Sequence, residues 1–483
     1  MAHTQRVVLE SSSLMRQVMD IDFRAPFLLG VVLMCHATAL VAQTAPTPSP
    51  KSREQMQQIR DAVSSTELRR VDEKLVAFWN RNTLSSMDPQ IYQQGRGVKA
   101  AREWIQAEFE RVSAQCGGCL NVQTLTFTQQ PAPRVPQATE IADVYAVLQG
   151  TDPVESKHIY LVTGHYDTRN GDTLNTKDEA PGANDDTSGT AVSLECARVL
   201  SRYKFPGTIV FLAVAGEEQG LNGSDYFARW AKQQGWQIEA VLNNDIVGGN
   251  TTPGDTLQRK DTVRVFSEGL PITALEDAKQ SAQIRSIGAE NDSSSRELAR
   301  EVAEIGKEWM PPAFQPKLIF RQDRYLRGGD HTSFNKQNYA AVRLTEWRED
   351  YNHQHQDVRV ENGTEFGDLI KFVDFDYVAN VARLNALSLA AMALAPAPPS
   401  DVRLLTKQLE NSSTLVWSSS EDQRTEFEVV WRDTTAADWQ NSKYVGKVTR
   451  ATMPESKDNV IFGVRAVSPE GFKSYAVTPV PER

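Results

Sequence analysis

Apolar segments alternate with helical patterns through the middle of the chain, and this alternation constrains the fold more than any other feature. Four segments are predicted to be strands: "HIYLVTG" at 158–164, "TIVFLAVA" at 208–215, "IEAVLNNDIVG" at 238–248 and "YAAVRLTE" at 339–346. Each is almost continuously apolar, which is typical of parallel strands buried on both faces. Helical patterns separate or follow them at 186–203, 221–235 and 372–395. The chain is therefore expected to form an α/β fold, with a largely parallel central sheet sandwiched by helices.

Side chains that can bind metals follow these strands. They are His165 and Asp167 after the first strand, Asp185 and Asp186 in "PGANDDTSG", Glu217 and Glu218 after the second strand, Asp245 after the third, and His353 and His355 after the last. Ligands of open α/β sheets bind at the carboxyl ends of strands. One Asp at such a place is more often a helix cap or a turn residue, but a succession of His and carboxylate groups is typical of a metal centre. A carboxylate shared by two ions is common in two-metal hydrolases.

Six motifs, in chain order, carry a resemblance to a known family: "GHYDT", "PGANDDTSG", "AGEEQGLNGS", "NNDIVGG", "GGDHTSF" and "YNHQHQD". They resemble the secreted co-catalytic di-zinc exopeptidases, the family of bacterial leucyl aminopeptidases and glutamate-carboxypeptidase-like enzymes. The similarity extends over roughly residues 98–394. It implies a zinc-dependent exopeptidase with two zinc ions per chain, which acts on peptide or protein substrates as an aminopeptidase.

The same resemblance assigns roles to individual residues. It implies five zinc ligands: His165, Asp185, Glu218, Asp245 and His353. Asp185 is expected to bridge both ions, through a loop whose Asp185–Asp186 peptide bond is cis. Glu217 is expected to act as general base, and Asp167 to orient His165. His353 is preferred because it stands four residues before Asp357; His355, where the family more often has a small residue, is the alternative.

Three other functions stay open from the sequence. A carboxypeptidase-type member is one, because the pocket residues that decide between trimming N-termini and C-termini fall in the poorly patterned segment 250–327. The others are a single-zinc glutaminyl cyclase of the same fold and a receptor relative without catalysis. Each of these two would be expected to lack part of the ligand set, whereas this chain keeps all of it. Side-chain preference and oligomeric state do not follow from the sequence.

The two ends of the chain differ in composition from its middle. Residues 1–42 contain an apolar segment after Arg24 and end in a small-residue cleavage pattern, which predicts a secretory signal peptide. Residues 43–50 are predicted to be a linker, and 51–395 the zinc peptidase domain. Short alternating segments then predict a small β-sandwich over 399–483, which resembles a fibronectin type III module. We therefore expect a secreted or periplasmic protein that is not held in a membrane after signal cleavage.

Charge and cysteine content agree with this expectation. The 52 basic and 62 acidic residues give a formal net charge of −10, which argues against a general nucleic-acid-binding protein. Cys35 falls in the predicted signal peptide. Cys116 and Cys119 form "CGGC", which we expect to be a structural disulfide in an oxidising compartment. Cys196 lies in a helical pattern and is expected to be a buried residue without a chemical role.

Overall fold

A computed structural model of the chain describes residues 45–419 and 424–482. All of the described residues belong to one compact unit. The predicted signal peptide at 1–42 lies outside the described residues.

Helices and strands alternate along most of the chain. The helices are α1 (Pro50–Ala62), α2 (Ser65–Val76), α3 (Pro89–Gln93), α4 (Gly97–Gln115), α5 (Ser188–Leu200), α6 (Asn222–Gln233), α7 (Ile272–Leu275), α8 (Ala278–Ser286), α9 (Ser294–Trp309), α10 (His331–Asn335) and α11 (Phe375–Leu394). The strands before the last helix are β1 (Leu120–Gln129), β2 (Thr139–Leu148), β3 (His158–His165), β4 (Thr208–Val214), β5 (Gln237–Asn244), β6 (Thr262–Ser267), β7 (Gln315–Ile319), β8 (Ala341–Glu346), β9 (Arg359–Glu361) and β10 (Thr364–Phe366).

A mixed eight-stranded sheet forms the centre of the molecule, in the order β1-β2-β4-β3-β5-β8-β6-β7. Its four middle strands, β4, β3, β5 and β8, are parallel and almost wholly buried. These are the four strands that the apolar segments predicted, so the predicted α/β fold is confirmed. The flanking pairs β2–β4 and β6–β8 are antiparallel, whereas the edge pair β6–β7 is again parallel.

Two helices that are apolar on nearly all sides form the core beneath the sheet. α5 and α11 pack against each other and bury almost every residue that they contain. α11 is long and apolar enough to cross a membrane by length and composition alone, but 83% of its most apolar window is buried inside the molecule. A helix that is apolar all round and covered on all sides is a core helix.

The loop before α5 is held by a buried arginine. Arg81 is fully buried and donates hydrogen bonds to the carbonyl oxygens of Pro181 (2.8 Å), Gly182 (3.3 Å) and Tyr166 (2.8 Å). The peptide bond between Asp185 and Asp186 in this loop is cis, as the resemblance implied. A charged group buried among carbonyl acceptors is costly to leave unpaired, so Arg81 fixes the path of this loop.

The predicted disulfide and the predicted burial of Cys196 are confirmed, whereas Cys35 lies outside the described residues. Cys116 and Cys119, at the end of α4, form a disulfide. Cys196 is fully buried in α5 as a free thiol.

The end of the chain is an all-β region. Its strands are β11 (Ser400–Leu405), β12 (Ser413–Ser418), β13 (Glu426–Asp433), β14 (Asn441–Gly446), β15 (Arg450–Met453), β16 (Val460–Val467) and β17 (Val480–Glu482). They form a four-stranded sheet, β15-β12-β11-β17, and a three-stranded sheet, β14-β13-β16. Leu415, Trp417, Phe427 and Val464 pack between them in a separate apolar core.

Candidate active site

The carboxyl ends of the parallel strands meet at one edge of the sheet, as expected for such folds. Histidine and carboxylate side chains from the ends of β3, β4, β5 and β8 and the loops that follow them converge there. Their donor atoms form two groups, each with its atoms within 4.8 Å of one another: His165, Glu217 and Asp245 in the first, and Asp185, Glu218 and His355 in the second.

Asp167 holds the first histidine and both glutamates of the "GEE" turn. His165 directs Nδ1 toward Asp167, 3.1 Å from its carbonyl oxygen and 3.5 Å from Oδ1. The backbone N–H groups of Glu217 and Glu218 donate to the Asp167 carboxylate at 3.3 and 3.2 Å. One buried carboxylate therefore fixes the ring of His165 and the turn that carries the two glutamates.

Asp185 belongs to the second group but also contacts the first, and it presents one oxygen to the histidine of each. Its Oδ1 is 3.2 Å from Nε2 of His165, and its Oδ2 is 3.0 Å from Nε2 of His355. Asp368 fixes this position from behind, because its carboxylate accepts the backbone N–H groups of Asn184 (2.8 Å) and Asp185 (2.7 Å). This is the arrangement expected of a carboxylate that bridges two ions.

His355, the alternative to the preferred His353, is the histidine that reaches the cluster. His355 Nε2 is 3.0 Å from Oε1 of Glu218. Its backbone is left-handed (φ 55°), and this turns the side chain toward the site. The ring of His353 instead stacks on Phe372 at 3.7 Å between centroids, and its Nδ1 lies 3.3 Å from Oγ1 of Thr252. Two histidines only two residues apart thus face different surroundings.

Two carboxylates of the cluster are each paired with an arginine. The Nη2 atom of Arg343 lies 2.9 Å from Oδ1 of Asp245, and Arg343 is fully buried in β8. Arg169 Nε donates to Oε2 of Glu218 at 2.9 Å. Arg169 leaves Oε1 of Glu218 free to face His355. On Asp245, the oxygen that Arg343 holds is also the one nearest the cluster, 4.0 Å from Nε2 of His165.

The electrostatics of the cluster fit a bound cation. Burial opposes the charge of His355, but Glu218 and Asp185 outweigh this cost and raise the pKa of its imidazole to about 10. Burial raises the pKa of the Glu217 carboxyl well above its ordinary value. Among the described residues, the buried Nε2 of His165 has no hydrogen-bond partner. A divalent metal such as zinc is bound by mixed nitrogen and oxygen donors. Its positive charge would also stabilise the crowded carboxylates and give the histidine nitrogen a partner.

A pocket of about 690 Å³ opens over this cluster. It is lined by Asp185, Glu217, Glu218 and Asp245, by His355 and Gln354, by four arginines, and by the exposed side chains of Leu326 and Tyr351. Gln354 donates to Oδ2 of Asp185 at 2.9 Å. The cluster is therefore buried beneath, but open to a molecule of peptide size from above.

Sequence reasoning did not find several of these residues. The sequence does indicate a role for Arg343, because a charged residue inside an otherwise apolar strand needs a buried partner of opposite charge. Asp368 lies far along the chain in a loop, and its spacing from the motifs carries no signal. His331, in the "GGDHTSF" motif, is fully buried, with Nε2 3.0 Å from the carbonyl oxygen of Gln322.

Comparisons with known proteins identify the family to which this chain is similar. Residues 143–364 match the family model described as "Peptidase family M28". A "Probable zinc metalloprotease" of Pyrenophora teres f. teres is 44% identical over 436 residues, covering 90% of this chain and 88% of the relative. Another from Leptosphaeria maculans is 43% identical over 434 residues, covering 89% and 98%.

Among solved structures, the Legionella pneumophila LapA aminopeptidase aligns with a TM-score of 0.48 at 17% identity, over 73% of this chain and 78% of that one. The identity to the fungal relatives extends over almost their whole length. On this similarity, the chain belongs to peptidase family M28.

Proposed function

We propose that the chain is a zinc-dependent exopeptidase that acts as an aminopeptidase and uses two zinc ions. The observation that carries the proposal is Asp185, whose two oxygens face the histidines of two separate donor groups. The similar fungal proteins named as zinc metalloproteases support the choice of metal.

The donor groups indicate which side chains would hold each ion. His165 and Asp245 of the first group would hold one ion together with Asp185, whose Oδ1 is 3.2 Å from Nε2 of His165. Asp185, Glu218 and His355 of the second group would hold the other. When bound, two zinc ions supply Lewis acidity that polarises the scissile carbonyl and makes water more acidic.

Glu217 is the remaining carboxylate of the cluster and is proposed as the general base. Its Oε2 is 3.9 Å from Nε2 of His165, and its side chain is 15% exposed to the pocket. It is thus placed to take a proton from the attacking water and to deliver it to the leaving amine. Asp167 positions this group through the backbone N–H of Glu217.

Zinc removal tests the proposed function directly. A chelator should abolish hydrolysis of unblocked dipeptides and aminoacyl-p-nitroanilides, and zinc should restore it, because the cluster carboxylates cannot polarise a carbonyl alone. Elemental analysis of the dialysed protein should give two zinc ions per chain. One zinc with cyclisation of N-terminal glutamine would identify a glutaminyl cyclase instead, and cleavage only of N-blocked peptides would identify a carboxypeptidase.

The choice between the two histidines is tested by a matched pair of variants. His355→Ala should lower the affinity of one zinc site more than about 100-fold, because losing a ligand costs more than losing a hydrogen bond to one. His353→Ala should keep both zinc ions, since its ring contacts Phe372 and Thr252. Chelator competition measures both affinities. Loss of zinc from His353→Ala with retention in His355→Ala would reverse the assignment.

We further propose that the protein is secreted or periplasmic and that residues 399–483 form a fibronectin type III-like module. The Cys116–Cys119 disulfide supports an oxidising compartment. The two packed sheets of the C-terminal region support a β-sandwich. N-terminal sequencing of the exported protein should begin at Gln43 if the predicted cleavage site is used.

A further inference from the structure

The pocket over the cluster contains equal numbers of acidic and basic side chains, but they are not equally engaged. Its four carboxylates are Asp185, Glu217, Glu218 and Asp245, and its four guanidinium groups are those of Arg134, Arg169, Arg324 and Arg327. Every one of these carboxylates belongs to the proposed metal centre or acts as its base. Two bound divalent ions would offset their charge and leave the pocket electropositive.

Two of the four arginines are fully engaged by the protein. Arg169 is paired with Glu218. Arg324 donates to Asp323 (2.9 Å), to Glu349 (2.8 Å) and to the carbonyl oxygen of Gly328 (3.3 Å), and its side chain is only 10% exposed. Each guanidinium nitrogen of Arg324 already contacts an acceptor, and so does each nitrogen of Arg169, which also contacts the carbonyl oxygen of Asn170 and Nδ1 of His355.

The other two arginines keep donors free at the mouth of the pocket. Arg134 is exposed, and within the described ranges its one hydrogen bond runs from Nη1 to the carbonyl oxygen of Glu218 at 3.0 Å. Arg327 donates from Nη1 to Glu349 at 2.9 Å, but Glu349 is shared with Arg264 and Arg324. A single carboxylate thus faces three guanidinium groups and cannot neutralise them.

Both free arginines lie close to the reacting centre. Arg134 contacts the backbone of Glu218, a proposed zinc ligand. Arg327 lies near enough for its charge to interact with the carboxylates of Asp185 and Asp245. They come from two separate loops, one between β1 and β2 and the other between β7 and α10.

We propose that Arg134 and Arg327 bind a carboxylate of the peptide substrate, so that the enzyme prefers short or acidic peptides. This inference rests on the proposed function. Guanidinium groups are suited to this role because they present paired donors to a carboxylate. The carboxylate can come from two sources, the free C-terminus of a short peptide or an acidic side chain beside the scissile bond.

Matched substrates separate the two sources. Leu-Ala against its C-terminal amide tests the α-carboxylate, Leu-Glu amide against Leu-Gln amide tests a side chain after the scissile bond, and Glu-Ala amide against Gln-Ala amide tests one before it. At least one charged member should have a kcat/KM about 10- to 100-fold above its neutral partner, the usual value of a hydrogen bond to a charged group. High salt should reduce this ratio.

Variants connect the preference to the two arginines. Arg134→Gln and Arg327→Gln should each lower the ratio between charged and neutral substrates, mainly through KM. Arg321→Gln is the matched control, because this exposed arginine in the same loop as Arg327 contacts Tyr325 and does not line the pocket. Its ratio should equal that of the wild type.

Two measurements keep the failure of this inference distinct from the failure of the proposed function. If the zinc-loaded chain cleaves both members of every pair equally well, the carboxylate inference is wrong and the exopeptidase proposal stands. If it cleaves no peptide, the exopeptidase proposal fails. Calorimetric binding of the same peptides to the zinc-loaded Glu217→Gln variant then still tests the arginines, and equal affinities for charged and neutral members would overturn the inference.

Discussion

Glu217→Gln is expected to lower kcat by about 10²- to 10⁴-fold while the protein keeps both zinc ions. The substitution preserves the shape of the side chain and its backbone hydrogen bond to Asp167. It removes only the ability to accept a proton from water. Side-by-side measurement of kcat and of zinc content in the dialysed protein tests this expectation.

Glu218→Gln is the matched companion, since it makes the same chemical change one residue further on. Glu218 contacts His355 and Arg169 and is a proposed ligand, so its loss should weaken one zinc site. Excess zinc should partly restore the activity of this variant but not that of Glu217→Gln. The two neighbouring residues would then have separate roles that metal titration distinguishes.

Two outcomes would contradict these roles. Because Glu217 also lies within reach of His165 and Asp245, it could act as a ligand in its own right. Loss of zinc from Glu217→Gln would support that role and remove the evidence for a base. Near-normal turnover in Glu217→Gln would show that the proton is taken by another group.

The sequence predicts the middle of the fold well because burial there is uniform. The strands β4, β3, β5 and β8 are covered on both faces, so their residues are almost all apolar and the pattern is unambiguous. β1 is only partly buried and β7 is largely half-exposed. Such strands have a mixed composition, and their pairing at the sheet edges is decided by tertiary contacts rather than by a local pattern.

In the site, too, the sequence predicts what a local pattern determines but not what tertiary contacts determine. The residues at strand ends were predicted because the sheet places them, and the structure brings His165, Asp185, Glu217, Glu218 and Asp245 together. The choice between His353 and His355 depends on a left-handed backbone turn and on stacking against Phe372, and spacing encodes neither. The arginines on Asp245 and Glu218 come from distant segments. Motif order therefore predicts the donors better than it predicts the residues that hold them.

The C-terminal region is joined to the peptidase region through buried contacts. Phe472 and Tyr475 belong to the main apolar core, and Phe472 stacks on Trp309 at the end of α9. Arg432 forms an ion pair with Asp292, and both side chains are 2% exposed. Such contacts are typical of a permanent interface rather than of a mobile appended module.

Truncation of the chain after Ala395 is therefore expected to destabilise the peptidase region. Each of the two lost aromatic side chains contributes about 1.5–3 kcal/mol by burial, which together is a large fraction of a typical stability of about 5–15 kcal/mol. The truncated protein should aggregate or unfold about 10 °C or more below the full chain. Thermal unfolding followed by circular dichroism measures the difference in Tm.

Point variants of the full chain test the same interface without removing a whole region. Phe472→Ala should lower the free energy of unfolding by about 3–5 kcal/mol, because it leaves a cavity against Trp309. Val448→Ala, on an exposed surface of the same region, should change it by no more than about 0.5 kcal/mol. A truncated protein that stays soluble, with the Tm and kcat/KM of the full chain, would show that the peptidase region folds alone. A Phe472→Ala variant as stable as Val448→Ala would show that the interface contributes little, whatever the truncated protein does.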